Sequence, residues 1–450
     1  MTLFTSRSRE LKNQHFTAER STELCCELAK ELEDKGEYEA ARKVLSAQWR
    51  GIGEHPKLSG LDPSTAGEVL LRAGTLTGAI GSKNQIGDAQ EIAKNLITES
   101  LTIFQSLSYR KKIAEAQTEL ALCYWRTGEI NEARDLLQET LSRLTVDSEL
   151  RGKAILRLAI VEIEASQFGK ALSILTEYAP LFQKINNQTL KGSYYVTLGN
   201  ALEKLWETEK RSNYLDRALV EYTAASYHFE RAQHRSYLAN VKNNLGFLYF
   251  KINRCEDAHE HLDHARRILV SLKDACTVAQ VDETRACVFL KQGRLSEAER
   301  AARSSVRSLE KSGRHTLLAD SLITHGRALA RLGNHSSALF AFRRAIALAQ
   351  HNGSLNRASD AALAAFQEIG EHLAVREGPQ LISGRGLSEQ IQSFEHELIK
   401  RALESAHGSV THASRSLGMS YQALSYMLET RHKDLLPQRT PARRRPRKDQ

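Results

Sequence analysis

Apolar and small residues return along this chain with a helical rhythm, most plainly between residues 240 and 350. There the segments 245–265, 285–305 and 325–345 align without gaps at a period of 40 residues. Gly246, Ala286 and Gly326 share one column, and Tyr249, Phe289 and Leu329 share another. Asn253, Gly293 and Gly333 take a turn position, followed five residues later by Ala258, Ala298 and Ala338. Each column has a physical reading. The small residue lets two helices approach, and the bulky one fills the gap to the next hairpin. Gly or Asn ends the first helix in a left-handed conformation, and the alanine opens the packing face of the second. No alternation of β-branched residues with Asn-Gly or Asp-Gly turns competes with this pattern. Between Ser64 and Gly378 the only proline is Pro180, as long helices require. The pattern predicts an all-α chain.

The same columns recur at Ala121, Tyr124, Gly128 and Ala133, and at Gly36 with Ala41. They recur with an insertion at Leu198, Gly199 and Ala218, and in degenerate form around Ala159 and Ala171. About eight hairpins result, with helices near 18 residues and ~27 Å long. Residues 55–82 fit least well: a helix is expected to begin after Ser64 or Thr65, with Ala73–Gly74 at the small position and an irregular connection through Gly87. These columns resemble the tetratricopeptide repeat. The resemblance implies a superhelical solenoid over residues 21–376, whose concave surface of first helices takes a peptide or protein. Asn240, Asn243 and Asn244 are the candidate groove residues, because exposed amides both donate to and accept from an extended backbone.

The pattern changes after a last repeat helix near 354–375. Residues 377–388 carry glycines and a proline and read as a linker. Ile391, Phe394, Leu398, Ala402 and Leu403 then recur at helical steps, predicting a helix over 389–406. A short helix over 411–417 meets a turn at Gly418-Met419, and Ser420 caps a second helix to about Thr430. Ala413 and Ser414 are small where helices cross, Leu417, Leu424, Met427 and Leu428 face a shared core, and Gly418 suits a positive φ. With Gly408-Ser409-Val410 before it, the segment 389–436 resembles the Fis-type helix-turn-helix domain. In that family the second helix enters the major groove, which here implies contacts from Ser420, Tyr421, Gln422, Ser425 and Tyr426, with Arg415, Arg431 and Lys433 nearby. Family members carry cations at several of these places; this helix has none before Arg431.

Charge sharpens the picture. The net charge is +9, but residues 431–450 hold eight Lys/Arg against two Asp, so most of it sits at the C-terminus. Within the tail from residue 437, Arg439, Arg443, Arg444, Arg445, Arg447 and Lys448 could follow phosphates, in the manner of basic arms, or form a solvated end. The start, residues 1–20, shows no cleavable leader, and no apolar run approaches a membrane span. The six cysteines lack paired spacing and read as reduced thiols of a cytoplasmic protein.

Candidate chemistry is sparse. Cys255, His259, His261 and His264 crowd one helix yet read as a solvated face and not as metal ligands. Residues 78–85, GAIGSKNQ, lack the spacing and preceding strand of a phosphate loop. No enzyme activity, cofactor or metal is expected. Two functions fit. One is a DNA-binding transcriptional regulator whose array binds a peptide or protein. The other is an interaction scaffold whose C-terminal domain forms a homodimer without specific DNA binding. The arginine-rich tail favours the first and the uncharged second helix the second.

Overall fold

The computed structural model describes residues 18–310, 312–351, 355–370, 387–417 and 419–438 of the 450-residue chain. Among these residues every regular element is helical. The chain forms two compact units that divide between Ala365 and Phe366.

The first unit is a row of eight helical hairpins. They pair α1 (Ala18–Asp34) with α2 (Tyr38–Val44), α3 (Pro63–Asn84) with α4 (Ala89–Ser106), and α5 (Arg110–Thr127) with α6 (Ile130–Arg143). Next, α7 (Glu149–Glu164) pairs with α8 (Phe168–Glu177), extended by the short α9 (Ala179–Lys184), and α10 (Gln188–Glu209) with α11 (Ser212–Arg231). The regular repeats follow: α12 (Arg235–Lys251) with α13 (Cys255–Ser271), α14 (Ala275–Lys291) with α15 (Leu295–Glu310), and α16 (His315–Arg331) with α17 (His335–His351). A single helix, α18 (Leu355–Ala365), packs on the last hairpin. It ends earlier than the expected 375, passing into a π-turn over Phe366–Gly370; residues 371–375 lie outside the described ones.

The sequence columns do the packing assigned to them. The alanines that open the second helices, Ala41, Ala133, Ala171, Ala218, Ala258, Ala298 and Ala338, are all fully buried. A Cβ on Gly246 would stand 2.5 Å from Leu262 Cγ, and one on Gly326 would stand 2.7 Å from the Phe342 ring, so only a glycine admits those side chains. Gly128, Asn253, Gly293 and Gly333 all take positive φ, between 66° and 85°, and send their helices back as hairpins. Pro180 lies in the first turn of α9, where its missing N–H costs nothing. One prediction moves: α3 begins at Pro63, before Ser64, because Asp62 Oδ1 accepts from the Ser64 and Thr65 N–H groups while Pro63 pre-sets the first turn.

A column of cations adds a link between regular hairpins. Lys251, Lys291 and Arg331 stand two residues before the turn residue, and each later member reaches back. Lys291 Nζ donates to Phe250 O at 2.9 Å and Arg331 Nη1 to Leu290 O at 3.4 Å.

First helices from α1 to α10 touch in succession, as do those from α12 to α18, and they form the inner row. Between α1, α3, α5 and α7 that row is charged. The buried Arg72 guanidinium meets Glu33 and Glu115 at 2.7 Å and Glu68 at 3.2 Å. Arg157 pairs with Glu119 at 2.7 Å, and Lys153 reaches Asp34 at 2.8 Å. The row also winds back on itself. The turn at Gly36 lies against the His234 ring, where an added Cβ would be 2.8 Å away, and Arg314 Nη2 donates to Lys83 O at 2.9 Å.

The residues expected to make a solvated face on α13 are instead packed. Cys255 is buried in the core. His259 Nε2 lies 2.9 Å from Gln292 Oε1 with its ring against Phe289, and the His261 ring stacks on Tyr249 at 5.2 Å. His264 is half-buried. The column residues Tyr249 and Phe289 draw these imidazoles into the gap between hairpins.

Candidate nucleic-acid interface and repeat groove

The second unit is built on α19 (Leu387–Ser405), α20 (Val410–Ser416), α21 (Tyr421–Thr430) and a 3-10 turn over Lys433–Gln438. Its core gathers Ile399, Ala402, Leu403, Val410, Ala413, Leu424, Leu428 and Leu435, with Leu417 and Met427 packed against it. The apolar stripe of α19 differs from expectation by one residue: Ile399 is buried, whereas Leu398 is 42% exposed. Ile399, Ala402 and Leu403 share the face on which α20 and α21 pack. The side chains of Ile391 and Phe394 lie outside the described ones.

Local hydrogen bonds set the two short helices. His407 and Gly408 take positive φ, and Gly408 N–H bonds to Leu403 O at 2.8 Å. Ser409 then caps α20, which starts at Val410 and not at Thr411, by accepting from His412 N–H. Ser420 Oγ accepts from Ala423 N–H at 3.1 Å and caps α21. Behind the helices His432 is buried, with Nε2 at 3.2 Å from Glu395 Oε2, and His396 pairs with Asp434. That hydrogen bond holds the Asp434 carboxyl below its ordinary range. Both pairs tie the 3-10 turn to α19.

The outer face of α21 presents Tyr421, Gln422 and Tyr426; Tyr421 is 50% and Tyr426 66% exposed. Ser420 is exposed beside them. Ser425 does not join this face, since its Oγ is buried without a partner. It is half-buried, between Leu424 and Leu428, and not outward as the sequence suggested. Arg415 and Lys433 are exposed, and Arg431 Nη1 leans to Glu395 at 3.6 Å. Residues 387–438 together hold five Lys/Arg and six Asp/Glu, so this stretch carries no net positive charge. Gly418, Arg439, Arg443, Arg444, Arg445, Arg447 and Lys448 lie outside the described residues.

In the array, the three groove asparagines on α12 are not equivalent exposed groups as expected. Asn240 is exposed, while Asn243 and Asn244 are half-buried. Asn244 lies beside the Tyr222 hydroxyl, which is 2.6 Å from Asn200 Oδ1 and 2.9 Å from Glu203 Oε2. The Tyr222 ring rests on Gly199, whose Cβ would be 2.7 Å away. Asn243 Oδ1 is buried with no donor. Sequence reasoning missed this Tyr222 knot because its members are spread across α10, α11 and α12.

Among the described residues no helix is long and apolar enough to cross a membrane, and no group of three His, Cys, Asp or Glu could hold a metal ion.

Comparison with known proteins agrees with this anatomy. Residues 390–429 match the family model of the bacterial regulatory protein, Fis family, and residues 277–351 match a tetratricopeptide-repeat model. The first match points to DNA binding and the second to protein interaction. No curated protein matches the chain. Among solved structures, the apo form of the quorum sensor NprR from B. thuringiensis is similar, at 11% identity, covering 77% of this chain and 92% of that one with a TM-score of 0.52. A Rap protein complexed with competence and sporulation factor is similar at 10% identity, covering 80% of this chain and all of that one, with a TM-score of 0.50. At such identities the likeness is one of fold. Columns, caps and matches converge: this chain is a tetratricopeptide-repeat protein with a C-terminal Fis-type helix-turn-helix domain.

Proposed function

We propose that the chain is a cytoplasmic DNA-binding transcriptional regulator with no catalytic step of its own, in which the repeat array receives a peptide or protein and the C-terminal domain binds DNA. The observation that carries this reading is the second helix of the Fis-type domain. Ser420 caps it, Leu424 and Leu428 anchor it, and Tyr421, Gln422 and Tyr426 stay free for a groove. Gln422 is suited to adenine and a tyrosine hydroxyl to a phosphate. The array reading draws on the Rap protein complexed with competence and sporulation factor and on the quorum sensor NprR, whose arrays share this fold. Asn243 and Asn240 are its candidate contacts.

A second reading has its own support. The face of α21 lacks a cation, which favours a scaffold whose C-terminal domain only pairs with a second copy. Titration of labelled genomic fragments at several salt concentrations separates the two. Changing Tyr421 and Gln422 to Ala is expected to erode preference among sequences by about 1–3 kcal/mol per lost contact. Deleting residues 439–450 is expected to weaken binding to every sequence and to flatten the salt dependence, each phosphate contact giving a slope of about −0.9. Absence of duplex binding by the wild type at low salt would hand the function to the scaffold.

A further inference from the structure

A cavity of about 520 Å3 opens where the C-terminal ends of α3, α5 and α7 meet; its lining includes Gly81, Ser82, Gln90, Trp125, Arg126 and Glu164. Arg126 belongs to the cation column that, at Lys291 and Arg331, caps the preceding hairpin. Here that bond is missing. α3 runs 22 residues where α14 runs 17, and the arginine lies instead over Gly78, where a Cβ would stand 3.0 Å from Nη1. No carboxylate comes within ion-pair distance of it among the described residues, although Arg72 and Arg157 on the same inner row are each paired. Burial accordingly pulls its guanidinium below the ordinary arginine value, and Arg157 adds like-charge repulsion.

The neighbouring side chains are short of partners too. Trp125 Nε1–H is buried with no acceptor, and Gln90 Oε1 is buried with no donor while its amide nitrogen holds Gly78 O. Glu164, also in the lining, is exposed and makes no ion pair among the described residues. A guanidinium without an ion pair, an unpartnered indole N–H, an unpartnered amide oxygen and a carboxylate thus belong to the lining of one cavity. Three helix C-termini converge there, and that end of a helix favours positive charge. A bare phosphate or sulfate would suit Arg126 and the Trp125 N–H but oppose Gln90 Oε1, Glu164 and the helix ends.

We propose that this cavity binds a small zwitterion of the α-amino-acid class. Its carboxylate engages Arg126 and the Trp125 indole N–H, and its ammonium turns to Gln90 Oε1, Glu164 and the helix-end carbonyls. The half-exposed Ile86 and the indole leave an apolar wall for a side chain. The array would then answer a small metabolite as well as a macromolecule.

Calorimetry on the full chain with each of the twenty L-amino acids, without DNA or peptide, tests this. At least one amino acid is expected to bind, and its amide and its N-acetyl derivative to bind at least tenfold more weakly. Arg126→Met is expected to weaken binding at least tenfold yet melt no lower than wild type, since the guanidinium has no partner to lose. Should that variant fail to fold, Glu164→Gln, at an exposed lining residue, carries the test, with at least a threefold loss expected. Silence from all twenty amino acids overturns the proposal. So does equal binding of the amide or the N-acetyl derivative, or displacement of the bound amino acid by equimolar inorganic phosphate. None of these outcomes bears on whether the C-terminal domain binds DNA.

Discussion

Residues 235–351 and residues 18–164 build the same kind of hairpin row and hold it together differently. In the first, glycine and alanine columns bring helices into contact, and a buried carboxylate such as Asp282 has two arginines, Arg266 at 2.8 Å and Arg285 at 3.2 Å. In the second, the buried Arg72 is shared among three carboxylates from three helices of the inner row, with Lys30 and Lys112 at the network's edge. Small and apolar columns act by close packing, which tolerates exchanges that keep the volume. A guanidinium shared among three carboxylates is satisfied in one arrangement only, so the network selects alignment more than it adds stability. Burial pushes Glu33 up to about 7 even with Arg72 beside it. Glu115, for all its burial, is held well below the usual carboxylate range by Arg72, Lys30 and Lys112.

The largest test of this contrast removes the shared cation. Arg72→Met strands the buried Glu33, while Glu115 keeps Lys30 and Lys112, and is expected to cost about 3–5 kcal/mol in denaturant unfolding. Arg266→Met, which leaves Arg285 on Asp282, is expected to cost clearly less. Equal losses would mean the two regions are not built differently.

A second test uses the contact between distant hairpins. His234 Nδ1 accepts from Tyr237 N–H and caps α12, with its ring stacked on Tyr237 at 3.8 Å. Only a neutral imidazole can accept there, and burial lowers its pKa to about 4 from the ordinary 6.5. The folded state therefore binds fewer protons than the unfolded one between those values. Its stabilisation is complete above pH 6.5 and lost as the pH falls toward 4, on the order of 3 kcal/mol. Denaturation followed from pH 7 to 4.5 is expected to show this loss, and His234→Gln to flatten it.

The smallest effect belongs to the regular columns. Gly246→Ala places a methyl 2.5 Å from Leu262 Cγ and 3.2 Å from Ala258 O. Overpacking of ~1–3 kcal/mol is partly offset by the ~0.5–1 kcal/mol that alanine gains over glycine in a helix. A net loss near 1 kcal/mol by thermal melting is expected.

The regular hairpins were legible because their information is local: Gly246, Asn253 and Ala258 lie within one hairpin and repeat. So was the cap at Ser420, whose partner is three residues away. Arg72 was not legible, since Glu33 and Glu115 lie 39 and 43 residues to either side and nothing in the spacing singles them out. The same limit hid the Tyr222 knot that engages Asn244, and Arg126, which looks in sequence like any cation of its column. Leu398 and Ile399 show a subtler limit. Two adjacent apolar residues fit a helical period almost equally, and only the docking of α20 and α21 chooses between them.

The seat of the Gly36 turn on His234 carries a consequence for how the chain is made. A translating ribosome adds about 5–20 residues per second, so the first turn waits on the order of 10–40 s before its partner, about 200 residues downstream, has emerged. Throughout that interval the leading hairpin has its neighbour α3 but not the imidazole that covers its turn. During that interval the Gly36 turn is open to a chaperone or a protease.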